Sequence, residues 1–276
     1  MISVIRRLGE KGPRGVLRAI GQRVARPLHL LRTSGAADYR SPTAAELQQI
    51  ERGVRELGMP CSVYDEKLLE HFVAWGLLDL DASVQRWPYL DIASASSPWV
   101  RMLRDQGLTT LSIDLAPDPS VASLPYYLRG DATAMPFHDA SIGSASLQCA
   151  YEMFAGDADI RLLRELARVL RSGGRVVVSP LYMHVQACYY QSPEHHGKPA
   201  GDAGAVRYLR RDAWDVRASR KYSPGTLMQR VWRPATQAGL IPQLRVLRNP
   251  DELGRGIYLH FVLVLDKPAT GVAENT

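Results

Sequence analysis

The sequence has few cysteines and no long apolar run, and both shortages limit the kind of protein that it encodes. Its 276 residues include three cysteines, which are scattered and supply neither a disulfide framework nor a CxxC metal pair. This composition favours a reducing compartment, so we expect a cytoplasmic protein. No run of about 18 or more apolar residues is present, so no segment is predicted to span a membrane. The N-terminus also lacks the apolar core of a secretory signal peptide.

Excess positive charge is confined to the first forty residues. Residues 1–40 carry nine Lys or Arg and two acids, whereas residues 41–276 carry 25 basic and 26 acidic residues. A body without a basic face argues against nucleic acid as a partner. Residues 1–40 are predicted to be a basic amphipathic leader whose segment 14–32 contacts the inner membrane face peripherally. The alternatives are a helix packed on the body and a disordered leader.

The rest of the chain is predicted to be α/β. Residues 41–86 form a helical preface: a capping box at Thr43 and Glu46 begins one helix, and a second covers 63–78. Short apolar strands then alternate with helices over residues 87–267. One of these helices is predicted to run from Asp157 or Asp159 to Arg171, and Ser172-Gly173-Gly174 is expected to end it. The predicted strands are Trp87–Ile92, Leu108–Ile113, Tyr126–Leu128, Ser144–Gln148, Arg175–Ser179, Gln243–Leu247 and Ile257–Leu265. This alternation predicts a doubly wound, mostly parallel sheet.

Two segments interrupt or follow that pattern. Residues 182–222 are polar and rich in Tyr, His and Arg, which predicts an insertion on the ligand side of the sheet or a merely solvated loop. Residues 268–276 are predicted to be a disordered tail.

The turn after the first of these strands contains no glycine. It reads DIASASSPW over Asp91–Trp99, and Asp114 ends the next strand. A strand, a tight turn, a helix, a second strand and an acid form a nucleotide-binding half-unit. A nicotinamide-dependent oxidoreductase would need GxGxxG in that turn, so its absence disfavours that function.

Two segments downstream carry a family pattern. Residues 130–137, GDATAMPF, and residues 165–174, ELARVLRSGG followed by RVVV, resemble motifs of class I S-adenosylmethionine-dependent methyltransferases of type 11. The resemblance covers residues 87–182. It implies a seven-stranded Rossmann-like sheet with an antiparallel last strand, and S-adenosylmethionine as the cofactor across the strand ends. The runs DIASASSP, YEMFAGDAD and VSPLYMH are further similar to a subgroup associated with surface-polysaccharide biosynthesis.

The resemblance also implies which residues form the cofactor site. The implied cofactor-binding residues are Asp91, Ala93, Ser94, Ala95, Asp114, Leu115, Asp131, Ala132 and Gln148. Asp114 matches the acid that binds the ribose hydroxyls, whereas Asp131 and Ala132 match the pair that contacts adenine. The family's usual glycines are replaced by Ala93, Ala95 and Ser97. Either the turn works without them, because alanine is the next smallest residue, or the pocket has lost its function.

Whether the site needs a catalytic base depends on the acceptor. A poor nucleophile such as a sugar hydroxyl needs one, and we predict His184 and Glu152 as catalytic residues. No metal site is predicted, because His195 and His196 are adjacent and no further ligand is paired with them by spacing. Tyr182 and Lys221 are candidates for the acceptor pocket, as are Tyr151, Tyr222 and Arg220.

The predicted function is therefore S-adenosylmethionine-dependent O-methylation. The acceptor is expected to be a glycan, including a lipid-linked one, or another small hydroxylated molecule. The alternative is a non-catalytic methyltransferase-like scaffold or regulatory protein at the membrane surface.

Overall fold

An eight-stranded sheet organises the residues that the computed structural model describes, which are 36–39, 65–95, 97–196, 202, 204–247 and 258–269. Its strands, numbered in chain order with β7–β9 reserved for a second sheet, are β1 (Ala36–Tyr39), β2 (Tyr89–Ile92), β3 (Thr110–Asp114), β4 (Tyr127–Arg129), β5 (Ile142–Gln148), β6 (Leu170–Ser179), β10 (Ile241–Leu247) and β11 (Phe261–Asp266). The predicted membrane-contacting segment 14–32, the helix that begins near Thr43, and residues 270–276 lie outside the described residues.

The strand order confirms the predicted fold. The sheet runs β1-β10-β11-β6-β5-β2-β3-β4. Its last strand, β11, is antiparallel to both β6 and β10, and every other pair is parallel. Seven strands thus form the mostly parallel sheet of the prediction, and β1 adds a short eighth strand beside β10. Because β2 to β6 are parallel, their carboxyl ends meet at one edge, where ligands of such sheets bind.

Helices cover both faces of this sheet. They are α1 (Asp65–Leu78), α2 (Trp99–Asp105), α3 (Ala158–Val169), α4 (Pro224–Leu227) and α5 (Arg233–Gln237), and a π turn at Met228–Trp232 joins the last two. The amphipathic helix α3 buries Leu162, Leu163, Leu166 and Val169 against the main core. Within the described ranges, no helix has the length and apolarity needed to cross a membrane.

The crossover after α3 differs from the sequence prediction. The run SGG was expected to end the helix, but α3 ends at Val169 and Gly173-Gly174 lie inside β6. The pairing of β5 with β6 shifts register here, because Ile142 pairs with Leu170 and Ser144 already pairs with Arg175. A Cβ on Gly174 would lie 2.9 Å from two backbone carbonyl oxygens. The glycine is therefore needed for close backbone approach at a bulge, not for a helix cap.

The predicted insertion forms a second, three-stranded sheet. Its strands are β7 (Cys188–Gln191), β8 (Val206–Leu209) and β9 (Ser219–Lys221), in the order β8-β7-β9. A bridge between Met183 and Tyr222 ties this sheet to the chain that leaves β6. The alternative of a solvated loop is therefore wrong. Strands of three or four residues are too short to show a clear alternation in the sequence.

Candidate active site at the carboxyl edge of the sheet

The turn after β2 has the backbone conformation that glycine favours, although it contains none. Ala93 has φ 55° and Ala95 has φ 50°. A left-handed alanine costs about 1–2 kcal/mol relative to its ordinary conformation. The turn therefore adopts the left-handed conformation without glycine, and whether it binds the cofactor stays a prediction.

Asp114 at the end of β3 faces this turn. The Ala95 N–H donates a hydrogen bond of 3.0 Å to Asp114 Oδ2, and the Ala116 N–H donates one of 2.8 Å to Oδ1. Ser94 Oγ lies 2.6 Å from Ser112 Oγ and joins the turn to β3 from the other side. The next residue, Leu115, is 68% exposed. A half-exposed carboxylate beside an exposed leucine offers acceptors for hydroxyls and an apolar surface for a planar base.

The segment after β4 presents one polar and one apolar residue. Asp131 is exposed, and its Oδ1 accepts a 2.8 Å hydrogen bond from the Thr133 N–H. Ala132 is buried and belongs to the main core. Asp131 thus closes a local turn at the carboxyl edge, and one carboxylate oxygen remains for a ligand.

A buried polar network lies beneath the turn. Asp91 is 2% exposed, and its Oδ1 lies 3.4 Å from the Tyr89 hydroxyl and 3.3 Å from Ser146 Oγ. Trp99 Nε1 donates to the same tyrosine hydroxyl at 2.9 Å. Burial raises the pKa of Asp91 to about 7, against the opposing charge of Lys67. Among the residues described, no hydrogen bond ends on Asp91 Oδ2, so that oxygen is available to a cationic ligand.

Helix α1 supplies residues that the sequence analysis did not identify. His71 Nδ1 lies 2.6 Å from Gln148 Oε1, and the His71 ring stacks on Trp99 with a centroid separation of 4.5 Å. Lys67 Nζ donates to the Gln148 carbonyl at 3.3 Å and pairs with Glu70 at 2.7 Å. Lysine, glutamate and histidine at positions i, i+3 and i+4 share one helix face, and this spacing was the available signal. The helix therefore closes the site above β5.

Glu152 lies in a short 3₁₀ turn at Tyr151–Met153, just beyond β5. It is 6% exposed, and its Oε1 accepts from Cys149 Sγ at 3.4 Å. Its Oε2 is buried and has no hydrogen-bond partner among the described residues. Burial raises the pKa of Glu152, and the ammonium of Lys221 opposes that shift. Burial also raises the pKa of the Cys149 thiol to about 12, which leaves it protonated and unsuited to nucleophilic catalysis.

His184 is the other predicted catalytic residue. It is buried, and its Nδ1 lies 3.0 Å from the Gln186 carbonyl oxygen. Its ring meets Tyr208 edge to face, with centroids 6.1 Å apart. These contacts hold the ring against the second sheet, and the catalytic role of His184 remains a prediction.

Arg220 is not available to hold an acceptor. Its guanidinium is buried, pairs with Asp159 at 2.7 Å, and donates to the carbonyls of Phe154 and Gly156. Arg230 pairs with the same Asp159 at 2.6 Å. This network anchors the second sheet to α3, so Arg220 is a structural residue.

One group of side chains resembles a metal site. Glu194, His195 and Asp215 bring their ligand atoms within 4.8 Å of one another. The spacing of the sequence did not reveal this group because Asp215 comes from a different loop. His195 Nε2 lies 2.7 Å from Asp215 Oδ1, and Glu194 accepts from Ser192 Oγ at 2.6 Å. These contacts already satisfy the cluster, and the absence of a metal stays a prediction.

Comparisons with known proteins agree with this geometry. A family model described as a methyltransferase domain matches residues 90–178. The chain is 28% identical over 159 residues to the biotin biosynthesis bifunctional protein BioHC of Cellvibrio japonicus, an alignment that covers 54% of this chain and 30% of that protein. It is 29% identical over 158 residues to a demethylmenaquinone methyltransferase of Thermus thermophilus, with coverage of 49% and 70%.

A solved structure shows the same fold. The 1,6-didemethyltoxoflavin-N1-methyltransferase of Burkholderia thailandensis, solved with S-adenosylhomocysteine, has a TM-score of 0.50 and 12% identity, and covers 84% of this chain and 94% of that one. The chain spans less than a third of BioHC, the first of the curated relatives. The family match shows that residues 90–178 are similar to a methyltransferase domain, and the solved structure shows the same fold.

Proposed function

We propose that this chain is an S-adenosylmethionine-dependent methyltransferase and that it O-methylates a small hydroxylated acceptor. The observation that carries the proposal is the left-handed turn at Ala93 and Ala95 together with Asp114, which faces it. A chain whose pocket had lost its function would have no reason to keep two strained alanines beside an oriented carboxylate. This favours a working site over the non-catalytic scaffold.

The residues at the carboxyl edge fit the cofactor. In our proposal, Asp114 accepts hydrogen bonds from the ribose hydroxyls, and Leu115, Asp131 and Ala132 surround the adenine. The rest of the cofactor is lined by the turn at Ala93, Ser94 and Ala95 and by the side chain of Gln148. Asp91 Oδ2 accepts a hydrogen bond from the cofactor's amino group. When bound, S-adenosylmethionine supplies an activated methyl group, whose bond to sulfur breaks as the acceptor oxygen forms the new bond to carbon.

The acceptor side is proposed around Glu152. Its unpartnered, buried Oε2 is a suitable base for a hydroxyl proton, because burial raises its pKa toward that of the group it must deprotonate. His184 is proposed as a second catalytic group on the same side of the sheet. The names of the relatives support a small-molecule acceptor, since one acts on demethylmenaquinone and another on 1,6-didemethyltoxoflavin.

The glycan acceptor and the membrane contact rest on sequence alone. Three runs are similar to the polysaccharide-associated subgroup, and residues 14–32 are basic and amphipathic. A glycan acceptor, including a lipid-linked one, and a cytoplasmic enzyme that touches the inner membrane face therefore remain proposals. Pelleting with anionic liposomes tests the contact, because deletion of residues 1–40 should abolish it. Equal pelleting of the full chain and the deletion variant would reject it.

The activity is tested by turnover. The protein is incubated with S-adenosylmethionine and a panel of phenols, monosaccharides and quinols, and release of S-adenosylhomocysteine is measured for the wild type, Asp114→Ala and Glu152→Gln. We expect at least one hydroxylated acceptor to raise release in the wild type, and both variants to lower it. Cofactor binding without turnover over the whole panel would favour the scaffold.

A further inference from the structure

Lys221, on the strand β9, is a buried cation in an aromatic setting. The residue is 8% exposed, and its Nζ lies 3.1 Å from the centroid of the Tyr182 ring and 5.3 Å from that of Tyr190. It donates one hydrogen bond of 3.2 Å, to Ser219 Oγ. An ammonium carries three donors. In the part of the chain that the structure describes, Lys221 therefore keeps donors for a further partner.

Arg220, the neighbouring residue on the same strand, shows how fully a structural cation is paired in this sheet. Arg220 points to the opposite face of the second sheet and is satisfied by Asp159, two carbonyls and the Tyr189 hydroxyl. Within the described ranges, Lys221 has no such set of partners on its own face. A buried charge without a direct ion pair is costly unless a ligand uses it. The contrast marks Lys221 as a functional cation.

Glu152 and Lys221 are linked through Cys149 and Tyr182: Cys149 Sγ lies 3.4 Å from Glu152 Oε1 and 3.6 Å from the Tyr182 hydroxyl, and the Tyr182 ring faces Lys221 Nζ. Glu152 is also the acid that acts on Lys221 most strongly. Its charge raises the pKa of Lys221 and the ammonium lowers that of Glu152, yet the two form no direct ion pair among the described residues. The pKa of Lys221 is nevertheless lowered to about 8, because burial outweighs the acid. The other charged groups that act on it are Cys149, Cys188 and Arg210. Among the described residues, each of the two side chains thus retains at least one unused hydrogen-bonding position: an acceptor on Glu152 and a donor on Lys221.

A hydroxyl group satisfies both positions at once. It donates its proton to the carboxylate and accepts from the ammonium. The surrounding side chains are aromatic: the Tyr190 and Tyr208 rings lie 5.7 Å apart, and those of Tyr182 and Tyr258 lie 5.8 Å apart. Such walls favour a planar ring, which stacks on tyrosine faces and edges.

We infer that Lys221 and Glu152 hold the acceptor hydroxyl between them, and that this hydroxyl is carried by an aromatic ring. The inference rests on the proposed function and narrows its acceptor to a phenol. Glu152 takes the phenolic proton, and the oxygen keeps the electron pair as a phenolate beside the ammonium. A phenol has a pKa near 10, like tyrosine, so one buried ammonium brings its ionisation close to neutral pH. A sugar hydroxyl is far less acidic, so the same ammonium would not lower its pKa enough for it to ionise near neutral pH.

The experiment uses 4-nitrophenol, whose ionised form is yellow. The probe is titrated with the full-length protein over a range of pH, and the midpoint of ionisation is compared for bound and free probe. For the wild type we expect bound probe to ionise about one pH unit or more below free probe. This equals a tenfold or greater preference for the phenolate. The variant Lys221→Met should lose that shift, and Lys221→Arg should retain part of it because the charge remains.

Two controls separate this inference from its alternatives. Arg217→Met removes an exposed cation of the same segment and should leave the shift unchanged. Binding of S-adenosylhomocysteine, measured by calorimetry, should be equal in the wild type and Lys221→Met; its absence from the wild type would instead refute the proposed function. The inference is overturned if the wild type does not bind the probe, if bound probe ionises like free probe, or if Lys221→Met keeps the full shift. Should Lys221→Met not fold, the wild-type shift and Lys221→Arg decide.

Discussion

Replacing Ala95 by glycine tests whether the turn after β2 is strained in the way that its backbone indicates. Ala95 has φ 50° and lies at the surface, so little side-chain packing is lost. Relief of the left-handed alanine gains about 1–2 kcal/mol. The greater freedom of glycine in the unfolded chain offsets roughly 0.5–1 kcal/mol of that gain. We therefore expect Ala95→Gly to raise the free energy of unfolding by about 0.5–1 kcal/mol.

The assay is thermal and urea unfolding of the wild type and matched alanine-to-glycine variants. For a chain of this size, the gain corresponds to a Tm increase of about 1–4 °C. Ala140 has φ 56° in an exposed turn away from the site, so Ala140→Gly should give a similar gain. Ala167 lies in α3, where the same change should lower the free energy of unfolding by about 1 kcal/mol.

Cofactor binding provides the second readout of the same variants. Ala95→Gly keeps the backbone N–H that donates to Asp114, so affinity for S-adenosylhomocysteine should be unchanged or tighter. Ala140→Gly should leave the affinity unchanged. The reasoning is refuted if Ala95→Gly destabilises the protein as much as Ala167→Gly does, because the turn would then not require a left-handed residue.

Two further predictions concern buried charges. Burial raises the pKa of Asp91 from 3.8 to about 7, so wild-type stability should fall as pH rises from about 4 to about 7, by about 4 kcal/mol at most, and stay level above that range. Asp91→Asn should therefore raise Tm more at pH 8.5 than at pH 5. The control is the exposed Asp105→Asn, which should show no such difference. Equal effects of Asp91→Asn at both pH values would contradict the raised pKa of Asp91. Asp159→Asn removes the nearer of the two carboxylates that pair with the buried Arg220, and urea unfolding should show a loss of roughly 3–5 kcal/mol. The exposed Asp157→Asn is its control, and similar losses in both would refute the network.

The sheet could be predicted because its strands are apolar, short and separated by helices. The number of strands in the main sheet and the antiparallel last strand were implied by the resemblance of residues 130–137 and 165–174 to the family motifs. The position of SGG was mispredicted because Gly173-Gly174 is equally typical of a helix end and of a bulge. Only the contact between Gly174 and the backbone of β5 distinguishes the two.

The acceptor side of the site could not be predicted from the sequence, for a different reason. Its polar groups come from α1, from the turn after β5 and from β9, which are up to about 150 residues apart in the chain. Lys221 and Arg220 are adjacent, and nothing in the sequence shows that one is fully paired and the other is not. That difference depends on which face of the second sheet each side chain occupies.

The central claim is that the glycine-free turn and Asp114 form a working S-adenosylmethionine site. The most direct measurement is calorimetric titration of the wild type and Asp114→Ala with S-adenosylmethionine and S-adenosylhomocysteine. We predict that the wild type binds both and that Asp114→Ala binds about tenfold or more weakly, because two charge-assisted hydrogen bonds are lost. No binding to the wild type, or equal affinity in the variant, would contradict the claim.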